Sequence, residues 1–139
     1  MKRPFRSILA ALLLLPGSAA AADACDRAFG TERGVRVESR DHVLVFETRP
    51  PRVAVGEFFS LEAVVCSRGS GPAPTGLRVD AFMPDHRHGM NYRATVTARG
   101  DGRYVAEGFL FHMPGRWQFL FDVASAGRTE RLVSDLDLE

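Results

Sequence analysis

Apolar and polar residues alternate with a period of two along most of the chain after residue 34, and almost no stretch shows a helical period. Such alternation is typical of strands with one buried and one exposed face. We predict seven to eight short strands on this basis. The segments are "VRVES" (35–39), "HVLVFET" (42–48), "FFSLEAVVCS" (58–67), "LRVDAFM" (77–83), "NYRATVTA" (91–98), "YVAEGFLFHM" (104–113), "RWQFLFDV" (116–123) and "TERLVSDLDL" (129–138).

Turn-forming residues separate these segments. "RPPR" (49–52) and "RGSGPAPTG" (68–76) break the alternation, and "RGDGR" (99–103) contains the Asp-Gly pair that favours a tight hairpin. In that hairpin residue i pairs with a residue at about 202 − i. Short strands at this spacing predict an all-β chain that forms a single immunoglobulin-like antiparallel β-sandwich.

The first 22 residues have the layout of a cleavable signal peptide. A basic start, "MKRPFR", precedes the apolar run "SILAALLLLP" and the small residues "GSAAAADA". The apolar run is too short to span a bilayer, which takes about 20 residues. We therefore predict a signal peptide at 1–22, a single domain at 23–139, and export to the periplasm with no stable membrane insertion after cleavage.

Charge and composition exclude some classes of partner. The chain has 18 Lys and Arg against 17 Asp and Glu. Removal of Lys2, Arg3 and Arg6 would leave 15 basic residues against 17 acidic ones, so no basic patch for nucleic acid is expected.

Two cysteines, Cys25 and Cys66, complete the export argument. In an oxidising compartment an intramolecular disulfide is the default, worth about 2–4 kcal/mol of stability. It would tie the start of the domain to a strand. Two alternatives remain open at this stage: a thiolate metal ligand, and lipidation of Cys25, although "ADAC" lacks the leucine expected three residues before a lipidated cysteine.

Histidines and methionines concentrate in "MPDHRHGM" (83–90) and "HM" (112–113). Imidazole binds copper, zinc and nickel, whereas a thioether favours Cu(I) and is a poor ligand for hard cations. The candidate metal ligands are therefore those of a copper site, with Cu(I) favoured. They are His86, His88, Met90 and His112, with Met113 and Met83 as second choices.

Two geometric expectations support this set. An extended 86–90 segment would project His86, His88 and Met90 on one side. The hairpin register would place Met90 opposite His112, with Cβ atoms about 5 Å apart. The competing interpretation is structural: Met83 continues a core face, Met90 and Met113 fill gaps, and His86 and His88 lie in an exposed loop. His42 is expected at the surface.

Other chemistries have weaker signals. No GxSxG nucleophile motif and no HExxH zinc motif occurs, and the "GSG" at 69–71 has no helix after it to form a phosphate site. A disulfide would remove the cysteine that a type-one copper site requires. We therefore expect a binding protein and no enzymatic activity.

The stretches "MPDHRHGM" (83–90), "GRY" (102–104) and "MPGRW" (113–117) resemble the YtkA-like family, small exported or membrane-tethered β-sandwich domains related to FixH-like proteins. The similarity covers about residues 50–138. It implies a β-sandwich and an association with copper handling in the bacterial envelope. The expected function is periplasmic Cu(I) storage or transfer, with a copper donor or acceptor protein as partner.

Two alternatives stay open. One is a metal-free periplasmic module that binds a protein or a small ligand through the same loop. The other is an assembly factor or subunit for a respiratory copper centre.

Overall fold

The computed structural model describes residues 24–30 and 33–139. The predicted signal peptide at 1–22 lies outside these residues. Within them the chain forms nine strands after a helical turn at 24–26. The strands are β1 Val35–Glu38, β2 His42–Arg49, β3 Phe58–Ser67, β4 Gly76–Met83, β5 His88–Gly89, β6 Thr95–Gly100, β7 Arg103–Leu110, β8 Gly115–Ser125 and β9 Arg128–Leu138.

The strands form two antiparallel sheets that pack face to face as a β-sandwich. The five-stranded sheet has the order β1-β2-β3-β7-β6, and the four-stranded sheet has the order β5-β4-β8-β9. Apart from β1, this is the immunoglobulin arrangement, with β2-β3-β7-β6 as strands A-B-E-D and β5-β4-β8-β9 as C′-C-F-G. The predicted immunoglobulin-like sandwich is confirmed.

The core lies between the sheets and follows the predicted alternation. Phe59, Leu61, Ala63 and Val65 on β3 are buried, as are every second residue of β4 and of β8. Rings of phenylalanine fill the centre, where Phe46 lies 5.5 Å from Phe119 between ring centroids. Aromatic side chains bury large apolar areas, so they dominate the stability of a core this size.

The hairpin of β6 and β7 confirms one register and corrects another prediction. Thr95 pairs with Glu107 and Ala98 with Tyr104, as the Asp-Gly turn predicted. The strand predicted at 91–98 begins only at Thr95, however, because residues 90–94 cross from the four-stranded sheet to the five-stranded sheet. The predicted cross-strand pairing of Met90 with His112 is therefore wrong.

The disulfide between Cys25 and Cys66 is confirmed. It closes a sequence separation of 41 residues and fastens the turn at 24–26 to the end of β3. Both cysteines are buried in a small second apolar cluster with Val43 and Val64. A free thiolate ligand and lipidation of Cys25 are excluded, because neither is compatible with this bond.

Across 24–30 and 33–139, no helix has the length and apolar character needed to cross a bilayer.

Candidate metal centre

The turn between β4 and β5 positions the first two histidines. Met83 at the end of β4 pairs with His88, and residues 84–87 form the turn between them. The turn closes through a hydrogen bond from the His86 amide to the Met83 carbonyl, 3.3 Å long. The prediction that 86–90 is extended is wrong, because His86 lies in this turn. As a result His88 is held in a ladder, whereas His86 is exposed.

The connection between β7 and β8, residues 111–114, positions the third histidine. Phe111 is fully buried and stacks on Trp117, with ring centroids 4.3 Å apart and planes 8° apart. The Trp117 Nε1–H donates to the Met113 carbonyl at 3.1 Å, and the Gly56 amide donates to the Phe111 carbonyl at 2.8 Å. His112 is thus held between two anchored neighbours.

These two segments bring the histidines together at one end of the sandwich. The ring centroids of His88 and His112 lie 5.1 Å apart, and those of His86 and His88 lie 5.9 Å apart. Trp117 lies beneath both, edge to face, at 5.9 Å from His88 and 5.5 Å from His112. The convergence that the sequence suggested is present, but β5 brings it about and the β6–β7 ladder does not.

The ring nitrogens of His88 and His112 are suited to binding an ion. His88 Nδ1 lies 2.9 Å from the Gly89 carbonyl oxygen, which accepts only, so Nδ1 is the donor, and in the neutral ring the lone pair lies on Nε2. Histidine ligands of metals commonly donate their other nitrogen to a backbone carbonyl in this way. His112 Nδ1 is buried and has no hydrogen-bond partner within the described residues. A buried nitrogen without a partner costs free energy unless something binds it.

The ring spacing also fits a shared ion. An ion about 2.0–2.1 Å from one nitrogen of each imidazole places the two ring centroids roughly 5–6 Å apart. The 5.1 Å between His88 and His112 falls within that range, as does the 5.9 Å between His86 and His88.

The methionines divide into one core residue and two at its edge. Met83 is 1% exposed, and its Cε lies 2.6 Å from the position that a Cβ on Gly115 would take. This agrees with the core interpretation of Met83. Met90 and Met113 are partly buried and pack against the same core. A flexible thioether side chain is suited to filling irregular gaps at the edge of a core.

The nearby carboxylate is already engaged. Asp85 accepts a hydrogen bond from Arg116 Nη2 at 3.0 Å, which ties the β4–β5 turn to β8. This hydrogen bond is the main reason that the pKa of Asp85 lies below its ordinary value. The positive charge of the Arg116 guanidinium is the second reason. Both side chains are exposed. Asp85 is therefore paired with an arginine. The candidate metal ligands that remain at this end of the sandwich are imidazole and thioether groups.

The described part of the chain contains no complete metal site made of three side chains of the usual ligand types. No group of three or more His, Cys, Asp or Glu side chains there is arranged to hold a metal ion. What the fold assembles is a pair of imidazoles, His88 and His112, with the exposed His86 beside them. Among the described residues, the other candidate donors at this end are His86 and the sulfurs of Met90 and Met113.

The fourth histidine, His42, was not identified from the sequence as a structural residue. His42 was expected at the surface, but it is fully buried at the start of β2. Its Nδ1 lies 2.9 Å from Glu130 Oε2, and its Nε2 lies 3.1 Å from the Pro72 carbonyl oxygen. The prediction is wrong because long-range partners on β9 and in the 68–75 loop satisfy both nitrogens, and the local sequence gives no sign of them.

The contact of Trp117 with the histidines was also not predicted from the sequence. The sequence identified it as a core anchor, which its full burial confirms. Its contact with both imidazoles follows from its position on β8, four residues after Met113. The signal was present, because the inward face of "RWQFLFDV" begins at this residue, next to the turn that carries His112.

Comparisons with known proteins add little to the geometry. No family model matches the chain, and no curated protein matches it. Among solved structures, the chain is similar to the crystal structure of a DUF4426 family protein from Pseudomonas aeruginosa PAO1. The two are 10% identical with a TM-score of 0.47, and the match covers 77% of this chain and 97% of that one. No functional conclusion follows from a likeness of this level.

Proposed function

We propose that this protein is a periplasmic copper-binding protein that stores or transfers Cu(I) at the end of the sandwich where His88 and His112 meet. His86, Met90 and Met113 complete the donor set from the edge of the site. Met83 supports the site from the core. The protein holds and releases the ion, and no reaction is catalysed.

The observation that carries the proposal is the state of the two ring nitrogens. The His88 tautomer leaves Nε2 free, and His112 Nδ1 is buried without a partner. The two rings are also separated by 5.1 Å, a spacing that is compatible with a shared ion. Three independent features therefore favour an ion between the same two rings.

The donor types and surroundings favour Cu(I). Thioether sulfur and imidazole nitrogen are ligands of a soft ion, and the only acid in the turn is paired with Arg116. Trp117, stacked on Phe111, gives the histidines an apolar surface on one side. Such an apolar surface disfavours Cu(II), because Cu(II) carries the higher charge and would bring water ligands with it.

The cellular setting belongs to the same proposal. The Cys25–Cys66 bond is compatible with secretion into an oxidising compartment. Together with the predicted signal peptide it supports the periplasm. The YtkA-like resemblance of the 83–90 and 113–117 motifs supports an envelope copper role, with a donor or acceptor protein as partner.

A metal-free interaction module is the alternative function. It is favoured by the lack of a three-ligand His, Cys, Asp or Glu group in the described residues. It is also favoured by two exposed aromatic residues at this end, Phe58 and Tyr92, which are 62% and 51% exposed. In this alternative the histidine turn contacts a partner directly.

The test is a Cu(I) titration of the purified mature domain in competition with a chromophoric Cu(I) chelator. We expect one ion per chain. His88→Ala and His112→Ala should each weaken binding at least about tenfold, which corresponds to the loss of about 1.4 kcal/mol. His86→Ala should weaken it less, because its exposed ring is the more distant from the pair.

Trp117 provides an independent signal, because it is the only tryptophan of the chain and touches both imidazoles. Its fluorescence should change in proportion to bound copper and saturate at one equivalent. Failure of the wild-type domain to compete with the chelator would contradict the copper proposal and favour the metal-free module.

A further inference from the structure

The last strand, β9, forms a long edge of the four-stranded sheet. It runs for 11 residues and, within the described residues, pairs only with β8. The other edge strands of the two sheets are shorter: β5 has 2 residues, β1 has 4, and β6 has 6 and a register shift before Gly100. An edge strand presents a row of backbone N–H and C=O groups to which another strand can bind.

The second half of β9 has little of the protection that edge strands usually carry. Inward-facing charges, proline, lysine and bulges discourage an edge strand from pairing with another chain. Glu130 faces inward near the start of β9, where it bonds to Ser39 and His42. From Leu132 to Leu138, however, the inward face carries only leucine and serine, and the register with β8 is regular. This half of the strand is therefore open to pairing.

A cleft lies between this half of β9 and β1. The Cα atoms of β1, the outermost strand of the five-stranded sheet, come within 8 Å of those of β9. The cleft has a volume of about 370 Å³, and its apolar lining includes Val35, Phe46, Phe119 and Leu136. Val35 is 46% exposed, so the cleft opens to solvent. Every second side chain of a strand added beside β9 would point into it.

The outward face of the same half of β9 is acidic. Asp135 and Asp137 lie on this face, opposite Gln118 and Arg116 of β8. Arg116 is already bonded to Asp85 at 3.0 Å. One arginine therefore lies among three carboxylates at this corner of the sheet, which leaves an excess of negative charge.

The remaining charged residues that line the cleft, Arg33, Glu47 and Arg49, change this balance little. Arg49 is paired with Glu47 at 2.6 Å and with Glu62 at 3.3 Å. Arg33 precedes β1 and so belongs to the opposite side of the cleft from β9. In a strand added to β9, side chains would lie about 4.5–5.5 Å between Cβ atoms from their partners on β9. The acidic face of β9 is therefore the nearest charge to such a strand.

We propose that this edge is a docking site for an extended segment of another protein in which basic and apolar residues alternate. The backbone of the segment adds a strand to the four-stranded sheet beside β9. Its apolar side chains enter the cleft, and its basic side chains lie opposite Asp135 and Asp137. Strand addition of this kind obtains affinity from backbone hydrogen bonds and specificity from pockets for alternate side chains. Docking at this edge requires no copper.

The test is an NMR titration of the ¹⁵N-labelled mature chain with the peptide acetyl-Arg-Val-Arg-Val-Arg-Val-amide. The proposal expects shifted resonances and slower hydrogen exchange for the amides of residues 133–138. Acetyl-Glu-Val-Glu-Val-Glu-Val-amide reverses the charge, and acetyl-Arg-Arg-Arg-Val-Val-Val-amide keeps the composition but loses the alternation. Both should bind at least about tenfold more weakly, because the first meets like charges and the second cannot place valine and arginine on opposite faces.

Variants separate the charge from the apolar cleft. Asp135→Asn/Asp137→Asn should weaken binding of the basic peptide about three- to tenfold at low salt, and the difference should shrink at about 0.5 M NaCl. Asp101→Asn/Glu107→Gln is the matched control, because it removes the same charge from the β6–β7 hairpin of the other sheet, and it should leave binding unchanged. Val35→Ser should weaken binding about threefold at both salt concentrations, because it removes apolar surface from the cleft. Melting temperatures establish that each variant is folded.

Several results would overturn the proposal. They are no binding of the basic peptide, equal affinity for the acidic peptide, an equal loss in the control variant, and shifts centred away from residues 133–138 and the cleft. Self-association of the chain alone, measured by sedimentation velocity, also overturns it if the same amides shift with chain concentration. A second copy would then be the occupant of this edge.

Discussion

Removal of the Cys25–Cys66 bond is expected to destabilise the domain by an amount that follows from the chain length it closes. The sequence separation is 41 residues. The loop-entropy relation then gives about 4 kcal/mol at 25 °C, as the bond restricts the unfolded chain far more than the folded one. For a domain of this size, that corresponds to a melting temperature lower by roughly 10–20 °C.

The assay compares the wild type with a Cys25→Ala/Cys66→Ala variant by thermal and urea unfolding, with and without reductant. Reductant should bring the wild type close to the variant and leave the variant unchanged. A loss below about 1 kcal/mol would refute the reasoning, because it would mean that the unfolded chain gains little freedom when the bond is absent.

Three further changes have expected outcomes. Glu130→Gln should cost about 1–3 kcal/mol at pH 7, since it removes the carboxylate bonded to the buried His42. Hydrogen bonds from the Ser39 hydroxyl and then from His42 lower the pKa of Glu130, so its contribution is complete above about pH 5 and is lost as the pH falls. The gap in urea stability between variant and wild type should therefore narrow as the pH falls below 4.5, the ordinary pKa of the carboxyl, and a constant gap would contradict this. Gly115→Ala should cost about 1–3 kcal/mol in the same assay, because φ is +119° there and the new Cβ meets Met83; no measurable loss would show that the turn relaxes freely. Leu61→Ala should cost about 2–5 kcal/mol, since this side chain is fully buried, and a smaller loss would mean that the core closes around the cavity.

Alternation and turn residues were sufficient to predict most of the fold. The segment 58–67 was predicted with its observed bounds, because Phe59, Leu61, Ala63 and Val65 face a core while the loop residues that follow prevent extension. The register of β6 and β7 followed from the Asp-Gly turn alone. Such features depend on neighbours in sequence, which a single chain displays directly.

What failed depended on contacts between distant segments. Residues 91–94 alternate like a strand but have to cross between sheets, and nothing within the segment indicates that crossing. The burial of His42 depends on Glu130, 88 residues away along the chain. The convergence of the 86–90 and 112–113 segments was predicted, yet the two-residue strand β5 that sets His88 beside His112 is too short to leave a pattern.

The most direct test of the central claim is a ¹⁵N NMR titration of the histidine rings with Cu(I) under anaerobic conditions. The account predicts that the resonances of His88 Nε2 and His112 Nδ1 shift together and stop shifting at one equivalent, while both nitrogens of His42 stay unchanged. A shift of only one of the two rings, or of neither, would contradict the claim that both hold the same ion.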